Sequence, residues 1–182
     1  MTTPLAPPEP PWRELDSALR HRGFAAIGPQ GLCALAGVEL QSLQALAPSW
    51  NGLPPDADLR DGGRYRRRRH SCCVVDGDSV RATPHRAHWQ PLEYNALHGG
   101  IERWFESLPE ALVNAPAWAA LLTGLGRSAS ALRGAQPWFV EAHPFRIDTG
   151  SGGIGRPTPE GAHRDGVDLV AVILVARDNV KG

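Results

Sequence analysis

The sequence has 182 residues, with 19 Lys and Arg against 19 Asp and Glu, so its formal net charge is zero. That length suits one domain with a sizeable core, and the balanced charge removes any global field pointing to nucleic acid or a membrane surface. Hydrophobic residues at 42% and charged residues at 21% are ordinary for a soluble globular protein, while 17 prolines and 20 glycines favour a loop-rich fold over a helical bundle.

The stretch MTTPLAPPEPP, residues 1–11, has no basic start and no apolar core, so it reads as a disordered, proline-stiffened tail rather than a signal peptide. Residues 12–182 read as one domain. Trp12–Arg22 carries Leu15 and Leu19 at helical spacing, with Gly23 placed to close the helix. Phe24–Ile27 reads as a short strand. Leu32, Leu35, Leu40, Leu43 and Leu46 share roughly one face and predict a single second helix ending before Pro48.

After a Pro/Gly/Asp-rich loop comes RYRRRRHSCCVVDGDSVRATP. It predicts a strand over Tyr65–Val75 and a partner over Ser79–Thr83, with Asp76-Gly77 as the hairpin turn. Residues 91–134 read as helical, broken around Gly99-Gly100, Pro116 and Gly124. Trp138–Ile147 reads as a strand in which Pro144 demands an edge or a bulge. A glycine-rich loop then leads to PTPEGAHRDGVDLVAVILVA, whose Val167–Ala176 predicts a buried strand too short to span a membrane. Helices first and strands later give an α+β class.

The three cysteines, Cys33, Cys72 and Cys73, are odd in number and two are adjacent, so no disulfide framework is implied. A reducing, cytoplasmic setting follows. Cys72-Cys73 opens an apolar stretch and reads as buried small hydrophobes rather than redox chemistry.

In an extended segment His163 and Asp165 point to one face. Imidazole and carboxylate two residues apart can chelate Fe(II), Mn(II) or Zn(II). Alone the triplet is a weak signal. Its place before an apolar strand strengthens it, because ligand sites form at the mouths of barrels.

Together, RYRRRRHSCCVV, LEYNALHGGIERWFE, WFVEAHPFRI and PTPEGAHRDGVDLVAVILVARDNVKG resemble a family of iron- and 2-oxoglutarate-dependent dioxygenases. It includes bacterial L-isoleucine hydroxylases and homologues linked to biofilm and stress phenotypes. The resemblance covers roughly residues 60–182. It implies N-terminal helices packed on a double-stranded β-helix, or jelly roll. It implies Fe(II) and 2-oxoglutarate as cofactors, a small substrate such as a free L-amino acid, and hydroxylation of a C–H bond. It makes His163 and Asp165 two arms of a 2-His-1-carboxylate iron site.

The family pattern also has a later histidine and an arginine for 2-oxoglutarate, and no histidine follows His163 here. The expectation is therefore a C-terminally incomplete barrel belonging to a longer gene product, because an uncovered apolar strand is an aggregation hazard. A short inactive protein is the other reading. His143 as the missing ligand is a third, in the wrong order for the family.

Further candidates are Glu141 and His143, two apart on one face of a predicted strand, which line a pocket near the iron as the resemblance implies or form a satisfied polar pair at a barrel rim; Arg146, a grip for a substrate carboxylate or a structural ion pair; and Thr158, just before the metal motif, which hydrogen-bonds 2-oxoglutarate or caps a turn. Arg66–Arg69 alternate between two faces, so they make no basic stripe and pair with nearby acids or hold an acidic co-substrate. His70, His85, His88 and His98 show no ligand spacing and read as surface or loop residues. The Tyr94-Asn95 and Gly99-Gly100 block suggests no role. Two rival classes stand beside the oxygenase: a non-catalytic binding or stress-response protein on the same scaffold, and a zinc hydrolase with Glu160 as base.

Overall fold

The computed structural model describes residues 7, 9–59, 64–95, 97–149, 153–156 and 165–179. Helix α1 (Leu15–Arg22) ends at Gly23, which takes φ +77° as the sequence requires. The predicted second helix divides into α2 (Pro29–Ala36) and α3 (Leu40–Gln44), because Gly37 turns left-handed at φ +70° and closes the first piece. Phe24–Ile27 forms no strand, having no ladder partner among the described residues.

Residues 91–95 and 97–109 are turns and extended chain, not helix. The Asn95 side chain takes the amide of His98 at 2.8 Å, so a local bond replaces the helical ladder. Helix follows only at α4 (Glu110–Val113) and α5 (Pro116–Arg133), with Pro116 opening α5 where a missing N–H is harmless. Gly124 does not break α5. It lets the helix lie against α2, since a Cβ there would strike the Leu35 carbonyl oxygen. Leu15, Leu35, Ala36 and Leu121 form one core cluster at this contact, and Leu46, Leu108, Leu112 and Ala117 form another.

Among the described residues the strands form two antiparallel sheets. One pairs β1 (Arg66–Arg68) with β5 (Phe145–Ile147). The other runs β3–β2–β4, from β2 (Ser71–Asp76), β3 (Ser79–Ala82) and β4 (Trp138–Ala142). The β2–β3 loop is Gly77-Asp78, one residue beyond the predicted turn, with Gly77 at φ +56°.

The expected continuous strands Tyr65–Val75 and Trp138–Ile147 are thus each cut once, yet the register passes through the cut unchanged. Arg68 faces Phe145 on one side and Ser71 faces Ala142 on the other, with two residues between on each strand. Arg69 therefore stands opposite Pro144, and its amide reaches the Pro144 carbonyl at 3.1 Å. Pro144 has no N–H to return the bond, so one rung is half made.

Val167–Ala176 is the larger correction. It runs without strand pairing, and Val172 and Leu174 are 86% and 75% exposed. A strand exists only through its ladder, and no described strand lies beside it. The architecture is mixed helix and antiparallel sheet, as the α+β expectation had it. No helix among the described residues is long and apolar enough to cross a membrane.

Candidate functional site

The half-made rung organises the site. Next to it, His70 stands opposite His143 as a pair without mutual backbone bonds, the type in which side chains approach most closely. Their rings stack at 4.7 Å, and the His70 amide turns outward to Glu106 O at 3.1 Å. Alternation then puts Arg68, His70 and Cys72 on one face, with Phe145, His143 and Glu141 opposite them. His88 arrives from a loop held by a single bridge to Arg103.

His70, His88, Glu141 and His143 bring ligand atoms within 4.8 Å of one another, a group that can hold a metal ion. The Glu141 carboxylate is its centre. It lies 3.0 Å from His88 Nδ1, 3.6 Å from His143 Nε2 and 3.7 Å from His70 Nε2. Burial pushes the Glu141 pKa up, but bonds from His143, His70 and His88 outweigh it and hold the carboxyl far below the usual range. Burial lowers His143 to about 3, against the raising effect of Glu141, so its ring is neutral. Burial likewise raises Cys72 to about 11, with Glu141 adding to it, so the thiol stays protonated. This agrees with Cys72 as a buried small residue; all three cysteines are free thiols.

Four arginines surround this ladder, two to each face as the alternation predicts. Arg66 and Arg68 are buried and share Asp56, at 2.7 and 4.0 Å. Arg67 and Arg69 pair with Asp148 and Glu106, at 3.1 and 2.8 Å. Burial, then Arg66, lowers the Arg68 pKa to about 9. Its guanidinium lies 4.2 Å over the Phe105 ring, and its Nη2 donates to His143 Nδ1 at 2.6 Å.

A second polar network adjoins the first through the His88–Gln90 segment. The Gln90 amide donates to Asp165 Oδ1 at 3.0 Å, and its Oε1 accepts from Asn95 Nδ2 at 3.0 Å and Arg103 Nη2 at 3.4 Å. Gly99 belongs here because a Cβ would collide with the Asn95 carbonyl oxygen. The Asn95 and Gly99 block therefore fixes Gln90, a purpose the sequence did not disclose.

The expected site residues are distributed as follows. Asp165 is exposed and sits on Gln90. His163 and Thr158 lie outside the described residues. Glu141 and His143 are brought together with His70 and His88. Arg146 is not; it pairs with Asp148 at 2.8 Å. The reading of His70, His88 and His98 as surface residues is overturned. They are 0%, 6% and 0% exposed, because the ladder face and the 85–108 loops enclose them. His85 is exposed and bonds to Phe105 O. Sequence spacing missed His70 and His88 because their proximity to Glu141 arises across strands and loops.

Among the solved structures similar to this chain are the following two. The crystal structure of a bsmA homolog from Methylobium petroleophilum PM1 is 48% identical, with TM-score 0.80 over 87% of this chain and 64% of that one. The sequence thus spans 64% of that relative's length. The crystal structure of IDO from Bacillus thuringiensis is 16% identical, with TM-score 0.53 over 76% of this chain and 56% of that one, a likeness of fold alone. No curated protein matches. Residues 47–182 match the family model described as 2OG-Fe dioxygenase. The chain belongs to the 2OG-Fe dioxygenase family, whose members use Fe(II) and 2-oxoglutarate.

Proposed function

We propose that this chain is the catalytic unit of an Fe(II)- and 2-oxoglutarate-dependent oxygenase that hydroxylates a small molecule of the free L-amino acid class. His163 and Asp165 are two of its iron ligands. The unit runs from residue 12 on a jelly-roll scaffold, and its free thiols support a cytoplasmic setting.

The observation that carries the reading is the anchoring of Asp165 within the family-matched stretch. Its carboxylate is held by the Gln90 amide, and Gln90 is fixed in turn by Asn95 and Arg103. A ligating carboxylate needs such an orienting partner. An imidazole and an oxygen ligand two residues apart fit Fe(II) in their donor chemistry. When bound, iron and 2-oxoglutarate would supply the chemistry that reduces dioxygen, one oxygen atom going into succinate as CO2 leaves and the other into a substrate C–H bond.

This chain's own contribution is orientation. Gln90 presents one Asp165 oxygen and restrains its rotation.

The test is succinate release from 2-oxoglutarate under Fe(II), with a panel of L-amino acids. Iron-dependent release that His163→Ala and Asp165→Asn abolish supports the reading. Release unchanged in both variants refutes the ligand assignment. Gln90→Ala should weaken iron affinity about 10–100-fold without removing it.

A further inference from the structure

Three imidazoles converge on one half-buried carboxylate, and ligand atoms of all four side chains lie within 4.8 Å of one another. His70 sharpens the point. It is fully buried, and its Nδ1 has no hydrogen-bond partner. No neighbour therefore fixes that nitrogen as donor or acceptor, and the ring is free to take either tautomer. Asp165 is not among the grouped ligands, so the cluster does not use the carboxylate that Gln90 holds.

Spacing favours an ion. Ligands around one transition metal at about 2.0–2.2 Å lie roughly 3.0–3.6 Å apart, depending on geometry. Glu141 oxygens lie 3.0, 3.6 and 3.7 Å from the three histidines.

The proton positions then divide the histidines. Arginine only donates, so His143 Nδ1 accepts from Arg68 and the ring proton stays on Nε2, facing Glu141. A nitrogen carrying that proton cannot ligate. His70 Nδ1 has no partner, so the ring proton can sit there; the Nε2 lone pair, which the Cys72 thiol approaches at 3.4 Å, is then available to a cation that displaces that thiol contact. His88 Nδ1 donates to Glu141 at 3.0 Å in the metal-free chain, so its proton must leave or move to Nε2 when Nδ1 ligates.

We propose that His70, His88 and Glu141 form a second metal centre, selective for a divalent ion of the iron–zinc class, with His143 as the residue that orients Glu141. Two imidazoles and one carboxylate leave positions open, and the donor set excludes calcium and magnesium, which take all-oxygen sites. Arg68 limits the centre to three ligands by occupying His143. The centre stands whether or not His163 and Asp165 bind iron.

The experiment is calorimetric titration of the metal-stripped chain with Zn(II), beside its His163→Ala, Glu141→Gln and His88→Gln variants, each checked for folding by circular dichroism. Two equivalents are expected in the wild type. His163→Ala should retain the cluster's equivalent, and Glu141→Gln and His88→Gln should each lose it. His143→Ala should weaken that equivalent about 10–100-fold without abolishing it. Full stoichiometry and affinity in both Glu141→Gln and His88→Gln would overturn the proposal while leaving the iron pair intact. A single equivalent lost in Glu141→Gln but kept in His163→Ala supports the cluster and removes the iron assignment. No binding at all overturns both.

Discussion

Arg68 and His143 meet across the interrupted ladder, guanidinium Nη2 to imidazole Nδ1 at 2.6 Å. Because only His143 can accept, the contact selects the tautomer with its proton on Nε2. Long-range nitrogen–proton NMR on metal-free protein should show His143 Nδ1 unprotonated and Nε2 protonated. Arg68→Met should release that choice and give a mixed signal. A protonated Nδ1 in the wild type would contradict the contact.

Asp56 is the counter-ion for two buried arginines, Arg66 and Arg68, and its side chain is fully enclosed. Asp56→Ala leaves both positive charges without it. Removing one partner of a buried pair costs about 3–5 kcal/mol. Urea denaturation should show a loss of that size, and a change below about 1 kcal/mol would show the pair to be solvated.

At Gly124 two effects oppose. Alanine in a helix interior gains up to about 1 kcal/mol over glycine. Here the new Cβ meets the Leu35 carbonyl oxygen, which is backbone and cannot rotate away. Overpacking of this kind costs about 1–3 kcal/mol, so Gly124→Ala should destabilise on balance. A higher melting temperature would mean that α2 shifts freely.

Asp148 provides a pH test away from the metal clusters. Hydrogen bonds from Arg146, against partial burial, and then Arg67 hold its carboxyl below the ordinary aspartate value of 3.8. A depressed folded pKa gives stability that is complete above the unfolded value and lost as pH falls through the folded one. Both ion pairs are about 40% exposed, so the contribution stays below about 1 kcal/mol. Carboxyl-carbon NMR should place the Asp148 midpoint below 3.8, and Arg146→Ala should raise it.

Much of this ladder could be read from the sequence. The alternating arginines, the strand at Trp138–Ile147 and the disruptive Pro144 all follow from local chemistry. So does the shared face of Glu141 and His143. What could not be read is which residue of one segment faces which residue of the other. The pairing of His70 with His143 depends on a register set across the intervening residues 71–142, with no local mark. His88 was hidden for another reason: it lies outside any periodic element, on one isolated bridge. Val167–Ala176 misled because hydrophobicity marks a segment that wants cover, whereas strand structure needs a neighbour to bond.

Pro144 also sets the mechanical character of the ladder. This rung is held from one side only, so the β1–β5 and β2–β4 halves are joined there by one backbone bond fewer than a complete ladder would give. That junction lies beside the stacked rings of His70 and His143. A small twist there would open or narrow the spacing of the imidazoles while leaving both half-ladders whole. The proline thus gives a stiff sheet one compliant crease, placed where ligand spacing must be adjusted.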